Sequence, residues 1–474
     1  MDYPTQATPE AAPVRRSHDP VAVAVANASL LSVGYLFLGR RKLAVFTLVV
    51  TAALVTLLVT VARSVWLEAG VVLWWAVLIA HGWFLARRRA ERVVVRRQRI
   101  VALAVTIPVL LAFGLLRFDA ARIEHTVTEA RQSGDCLQAE TALGKVWFGH
   151  RVADAPMTVR GEKTVQACDR LRAAKTRLAA ASTGDVNALK GGFDGLASVL
   201  AQLPGHDKMA EVTLDGFLTG LPAKNACHTA AISDWLSGRH PNKTVLDRSA
   251  AVVPRIAPAA LVGCGDELAA AEQWEQARAR YQQFLDRYSG QELTGKAEEG
   301  VKKATLAIEL ANVRDLLKGP TSAQPTYCGK PAQYSGAAPY GKGTNRALFY
   351  GNDEYTAKLP AEWRSGDAAE AVLVVCAGKT DYGTAVQTCQ YESERNPSLR
   401  GDVTFHKIAI PVKAYELRTG KLVVETTVEI SGASCPQTFS APHFGSGDFG
   451  PPPKQYVTAS DADIRAAFTS VIIK

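Results

Sequence analysis

RRRAERVVVRRQR, residues 87–99, places seven arginines and a single glutamate between two long apolar runs. Short connectors this rich in arginine stay with the cytoplasm, because the insertion machinery and the membrane potential both resist carrying them across. The stretch reads as a cytoplasmic loop. The apolar run after it, residues 100–116, then leaves the cytoplasm, and residues 118–474 lie beyond the membrane.

Toward the N-terminus stand three more apolar runs, residues 21–38, 43–62 and 71–86, each near the count needed to cross about 30 Å of hydrocarbon. The first two are joined by Gly39-Arg40-Arg41-Lys42, the next two by a segment whose charges are Arg63 and Glu68. Arg40, Arg41 and Lys42 therefore share a side with Arg87, Arg88, Arg89, Arg92, Arg96, Arg97 and Arg99. Four spans with both termini outside satisfy that pattern and predict a multi-pass protein of the plasma membrane. The first run is the weakest span, since Asn27, Ser29, Ser32 and Gly34 dilute it; a re-entrant or cytoplasmic start is the alternative. Residues 1–20, with Pro4, Pro9, Pro13 and Pro20 and no cleavable leader pattern, read as a disordered tail. The stretch Gly34-Tyr35-Leu36-Phe37-Leu38-Gly39-Arg40 resembles the first hairpin of TM2-type membrane domains.

No Asp, Glu, Lys or Arg falls inside the four runs, which argues against a transporter or channel. His81 is read as an interfacial residue beside Trp83 rather than a titrating intramembrane group. The net charge of +9 has the same origin. Residues 1–117 hold 14 Lys or Arg against 5 Asp or Glu, leaving 40 against 40 of the 54 and 45 in the whole chain. The remainder is thus neutral, and no nucleic-acid partner is expected.

All eight cysteines follow residue 135, in the part assigned to an oxidising compartment, which predicts disulfides. No C-x-x-C pair occurs, so no metal or cofactor is expected. Cys136 with Cys168 and Cys227 with Cys264 are spaced as helix-to-helix staples, although spacing does not fix connectivity.

Residues 118–318 show apolar positions returning every three or four residues between Gly, Pro and Asp punctuation, one amphipathic helix after another. Residues 261–290, LVGCGDELAAAEQWEQARARYQQFLDRYSG, resemble a tetratricopeptide helix pair. Gly265 and Ala277 supply the small crossing positions and Tyr281 the aromatic that fills the gap. Such stacks commonly offer a concave face to a peptide; a mere spacer is the alternative.

Residues 319–345, dense in Pro and Gly, read as a linker. Beyond it, residues 346–474 form a small α+β domain with an antiparallel sheet. Residues 371–377 and 386–392 read as strands. In the next pair the even positions from Ile408 to Ala414 oppose those from Val424 to Ile430, with Ala414 against Val424 and Ile408 against Ile430. A three-residue loop with Gly420 at positive φ would pair Leu417 with Lys421. Pro411 places its non-bonding side at an edge or gap. Residues from Ser460 form a short helix burying Ile464, Ala467 and Phe468. Cys389-x-Tyr391, Thr419-Gly420-Lys421 and Cys435-Pro436 resemble a recurrent exported domain in which a disulfide ties a strand pair. That resemblance implies Cys389 with Cys435 and leaves Cys328 for Cys376. The whole chain resembles uncharacterised multi-span membrane proteins of high-GC actinobacteria, which implies no chemistry.

The sequence contains no nucleophile elbow, zincin pair or Walker loop. Gly341-Lys342-Gly343-Thr344 lacks the first glycine and preceding strand of a phosphate loop. His406 and His443, the latter near Asp448, read as ordinary strand-end and loop histidines rather than an acid–base pair. The expected architecture is an α-helical transmembrane domain (21–117), an all-α tetratricopeptide-like stack (118–318) and the α+β domain. The expected role is non-enzymatic: a membrane-anchored extracytoplasmic binding or scaffold protein for a protein or peptide of the cell envelope, with no small-molecule ligand. An envelope enzyme with its site in the last domain, or a membrane assembly subunit, are the alternatives.

Overall fold

In the computed structural model, which describes residues 18–60, 64–88, 95–394, 397–440 and 450–474, the first apolar run is not one helix. It forms α1 (Pro20–Asn27) and α2 (Val33–Phe37), parted by a turn in which Leu30 and Ser32 take positive φ. Eight helical residues rise about 12 Å, well short of a hydrocarbon core. The break replaces the expected first span because its polar groups find partners there. Ser29 Oγ donates to Ala26 O at 2.7 Å, Ser32 and Thr47 share a hydroxyl hydrogen bond of 2.7 Å, and Trp75 Nε1 donates to Ala28 O at 3.0 Å. Irregular backbone at membrane depth is tolerated only when it is satisfied in this way.

Among the described residues, three helices are long and apolar enough to cross a membrane: α3 (Arg41–Thr60), α4 (Val65–Arg87) and α5 (Arg96–Ser133). Arg40 precedes α3, Arg41 and Lys42 open it, Arg87 and Arg88 close α4, and Arg96, Arg97 and Arg99 open α5. Arg89 and Arg92 lie outside the described residues. Asp19 caps α1 and pairs with Arg99, Thr106 Oγ1 donates to Val25 O at 2.7 Å, and Trp75 reaches Ala28. At 1.5 Å per residue from the basic helix ends, these contacts put Asp19 about 4 Å along the bundle, Val25 about 15 Å and Ala28 about 18 Å. The Ser32–Thr47 bond brings the chain back to about 9 Å, and α2 ends close to Arg40. The α1–α2 hairpin therefore enters and leaves at the same end. Asn27 Nδ2 donates to Leu78 O at 3.2 Å, and its amide is wedged between Gly34 and Gly82.

α5 continues beyond its apolar stretch without interruption and stops at Gly134, whose φ of +83° suits a glycine cap. Then come α6 (Cys136–Leu143), α7 (Phe148–Ala153), α8 (Ala155–Ala181), α9 (Val186–Gln202), α10 (Asp207–Thr219) and α11 (Ala226–Ser237). The side chains of Asp135, Asp154, Asp185 and Asn225 accept backbone N–H groups at the starts of α6, α8, α9 and α11. α8 begins directly after Asp154, at Ala155. Pro156 looks like a breaker in sequence, but in the first turn it costs no hydrogen bond.

The chain divides into two compact units, Met1–Ala257 and Pro258–Lys474, a cut that falls inside α12 (Val253–Ala270). In the second unit α13 (Trp274–Tyr288) and α14 (Thr294–Leu316) follow. The Tyr281 ring lies over Gly265 on one side and Gly300 on the other, and a Cβ at either glycine would fall within 2.6 Å of it. Ala277 is fully buried. Tyr281 donates its hydroxyl to Asp266 at 2.7 Å; burial, then that carboxylate, raises its pKa.

Six strands build one sheet: β1 (Ala347–Tyr350), β2 (Leu373–Ala377), β3 (Asp381–Glu392), β4 (Arg400–Glu416), β5 (Lys421–Ile430) and β6 (Lys454–Tyr456). It is mixed rather than antiparallel, because β1 runs parallel to β2 and β6 parallel to β4. The crossover from β1 to β2 carries α15 (Asp353–Thr356) and supplies the length a parallel pair needs. In β4 and β5, Ile408 faces Ile430, Ile410 faces Val428, Val412 faces Thr426 and Ala414 faces Val424. Past Ala414 the register shifts, and Glu416, not Leu417, pairs with Lys421. Leu417 is drawn into the core on the other face, its N–H donating to Val372 O. Pro411 sits where the partner changes from β2 to β3; its carbonyl takes the Gly378 N–H, and its missing amide faces that gap.

One sheet face is covered by α16 (Asp461–Ile472) through Ile464, Phe468 and Val471, with Ala467 partly buried beside them. The other is covered by the end of α14 and by residues 319–345. That segment was expected as a linker, yet Tyr327 is fully buried among Val313, Leu317, Val374 and Tyr415. Its Pro and Gly residues shape a strap that packs.

Candidate functional site in the helical unit

Three helices of the first unit, α6, α8 and α10, enclose an open groove of about 870 Å³. Its geometry begins with small residues. At Gly134 a Cβ would stand 2.5 Å from the Val212 side chain, so α10 can close on the end of α5 only there. Gly216 and Gly220 keep the α10 wall low. The Cys136–Cys168 disulfide, with a Cα separation of 5.5 Å, holds α6 against α8.

Apolar side chains form the floor and one wall. Leu171 and Leu178 are buried, whereas Leu137 is 74% exposed and Val212 41% exposed. Phe217 meets Phe193 edge-on at 6.4 Å, and Phe193 in turn packs on Trp235 at 4.9 Å beneath the Arg239 guanidinium. On the rim, Arg172 takes both oxygens of Glu140 at 2.6 and 2.7 Å and bonds Asp169 at 2.9 Å. The Glu140 hydrogen bond, followed by its charge, raises the Arg172 pKa, keeping the guanidinium cationic. Lys175 lies on the same rim. The arrangement is an apolar trough with an edge of mixed charge, Arg172 and Lys175 standing with Asp135 and Glu140, and it is suited to holding a side-chain-bearing segment.

The predicted site residues are placed as follows. Cys136 is bonded to Cys168, Cys328 to Cys376 and Cys389 to Cys435, and Cys227 and Cys264 are also oxidised. Of these only Cys136 and Cys168 line the groove. Gly265, Ala277 and Tyr281 belong to the other unit. His81 Nδ1 lies 2.9 Å from the hydroxyl of the buried Tyr35. His406 donates Nδ1–H to Gly383 O at 2.8 Å and meets the Tyr382 ring edge-on, so that nitrogen cannot serve as a base. His443 and Asp448 lie outside the described residues. In the Gly341–Thr344 turn the Gly341 N–H goes to Asn345 Oδ1 and the Gly343 N–H to Lys474 O, which leaves neither amide for a phosphate. Among the described residues no three His, Cys, Asp or Glu side chains gather as metal ligands. The groove residues Leu137, Arg172, Val212 and Phe217 escaped sequence reasoning. Only Leu137, an apolar residue one position after Cys136 and facing outward on its helix, carried a signal.

No protein-family model, no curated protein and no solved structure matches the chain.

Proposed function

We propose that this chain is a membrane-anchored extracytoplasmic binding protein of the cell envelope that holds a segment of a partner protein in the α6–α8–α10 groove. The groove itself is the observation that carries this reading: exposed leucine and valine beside a rim of paired charges, with a disulfide tying two of its walls. An extended or helical peptide with apolar anchors and a polar flank, able to exchange hydrogen bonds with the Arg172–Glu140 pair, matches it in chemistry.

Sidedness rests on the arginine-rich ends of α3, α4 and α5. Three crossings, with α1 and α2 as a hairpin dipping in from the basic side, reconcile those ends with the contacts of Asp19, Val25 and Ala28. That topology keeps residues 118–474 outside and moves the N-terminal tail to the cytoplasm. The α12–α14 helices extend the reading: with Tyr281 clasped between two glycines they fit a tetratricopeptide-like pair and its neighbour.

The test is in-cell photocrosslinking from p-benzoylphenylalanine at Leu137 in the full-length protein. The expected result is a discrete protein adduct whose yield falls several-fold in an Arg172→Glu background. Adducts to lipid alone, or an adduct insensitive to Arg172, would remove the groove from the account.

A further inference from the structure

The far end of the membrane bundle carries exposed aromatic residues that binding in the groove does not use. Counting along α5, Arg117 stands about 32 Å from Arg96, and along α4 Trp66 stands about 32 Å from Arg87, close to one hydrocarbon thickness. Arg117 pairs with Glu68 of α4 and donates to Ala153 O at the end of α7. His150 Nε2 donates to Asp119 at 3.0 Å while its Nδ1 accepts the Trp147 N–H, so this buried imidazole locks α7 to α5. The same level thus holds the start of α4, the exit of α5 and all of α7.

At that level Trp66 is 88% exposed, and Phe118, Trp147 and Phe148 are each more than half exposed. The Trp147 ring is held, not loose: it folds over Gly149, where a Cβ would stand 2.6 Å from it, and meets His150 edge-on. Phe148 and Arg151 follow at a spacing of three on one exposed helix face. Aromatic rings backed by arginine are the composition that partitions to the headgroup layer.

We infer that α7, with Trp147, Phe148 and Arg151, is an interfacial foot that inserts its aromatic residues into the outer leaflet, Arg151 meeting lipid phosphate. Continuity with the ends of three crossing helices selects lipid as the occupant. Ser133, where the groove begins, is sixteen residues beyond Arg117, which sets the groove about 24 Å above that lipid surface.

All native cysteines are oxidised, so an added cysteine gives a unique thiol. Full-length protein in phosphatidylcholine–phosphatidylglycerol nanodiscs is spin-labelled at Phe148→Cys, Arg151→Cys, Trp66→Cys or Ala173→Cys, one at a time. Collision with oxygen is compared with collision with a water-soluble nickel chelate. The expected oxygen-to-nickel ratio exceeds one at 148 and 66, is near one at 151, and falls below one at 173 on the exposed face of α8. The foot is overturned if 148 and 151 both match 173 while 66 remains lipid-like, or if both reagents are excluded from 148, as contact with protein would do. A water-like 66 would overturn the three crossings and the foot with them.

Discussion

Asn27 shows how one polar side chain shapes the membrane unit. Its Nδ2 would lie 2.2 Å from a Cβ at Gly82, and its Oδ1 2.5 Å from one at Gly34, so both glycines are required for the hairpin to nest. Gly82→Ala is expected to destabilise the detergent-solubilised protein by about 1–3 kcal/mol, the range for overpacking a tight contact. Gly114→Ala, with nothing within 4 Å, is expected to leave the midpoint of thermal unfolding unchanged or slightly raised. In the second unit, Arg314 forms two hydrogen bonds to Asp367 at 2.7 and 3.1 Å and depresses that carboxyl's pKa. The stabilisation is therefore present above the unfolded-state value near 3.8 and is lost as pH falls through the lower folded-state value. Asp367→Asn should lower the unfolding midpoint at pH 7, and the gap to the parent protein should close progressively below pH 4. A gap that stays the same size from pH 7 through the acid range would contradict the ion-pair assignment. At this scale the sequence said little: Asn27 registered only as a dilution of an apolar run, because its partners Leu78 and Gly82 lie about fifty residues away.

Elements were legible where one periodicity decides them. The β4–β5 register followed from alternating Ile, Val and Ala, since a one-residue slip would expose that row. It departed from expectation past Ala414, where Leu417 answers to a second core that local alternation does not encode. The strap 319–345 was missed for a related reason: Pro and Gly mark irregular backbone, but whether that backbone packs depends on Tyr327 meeting Val374 and Tyr415. α7 went unseen because six residues are too few for a helical period. The Cys136–Cys168 bond ties α6 to α8 across 32 residues. Loss of a loop constraint of that size is expected to cost about 3–4 kcal/mol. The Cys136→Ser, Cys168→Ser double variant should therefore melt earlier than the parent protein by calorimetry and, on the proposed function, give a lower crosslink yield from Leu137. An unchanged crosslink yield from Leu137 would show that the staple does not shape the groove.

For the whole molecule, the arginine-rich ends of the crossing helices organise everything else. Seven arginines in residues 87–99 are what the proposed sidedness rests on, because charge asymmetry is a property of sequence alone. The groove was not readable, since its walls come from residues near 137, 172 and 217, brought together only by helix packing. The break in the first run was half legible: composition flagged that run as weak, and the structure divides it into α1 and α2, held by the contacts of Asp19, Val25 and Ala28. The most direct test of the account is a pair of reporters fused after Lys474 in the full-length chain, alkaline phosphatase and green fluorescent protein. The account predicts an active phosphatase and a dark fluorescent fusion, whereas a fluorescent protein with an inactive phosphatase would place the groove in the cytoplasm and contradict it.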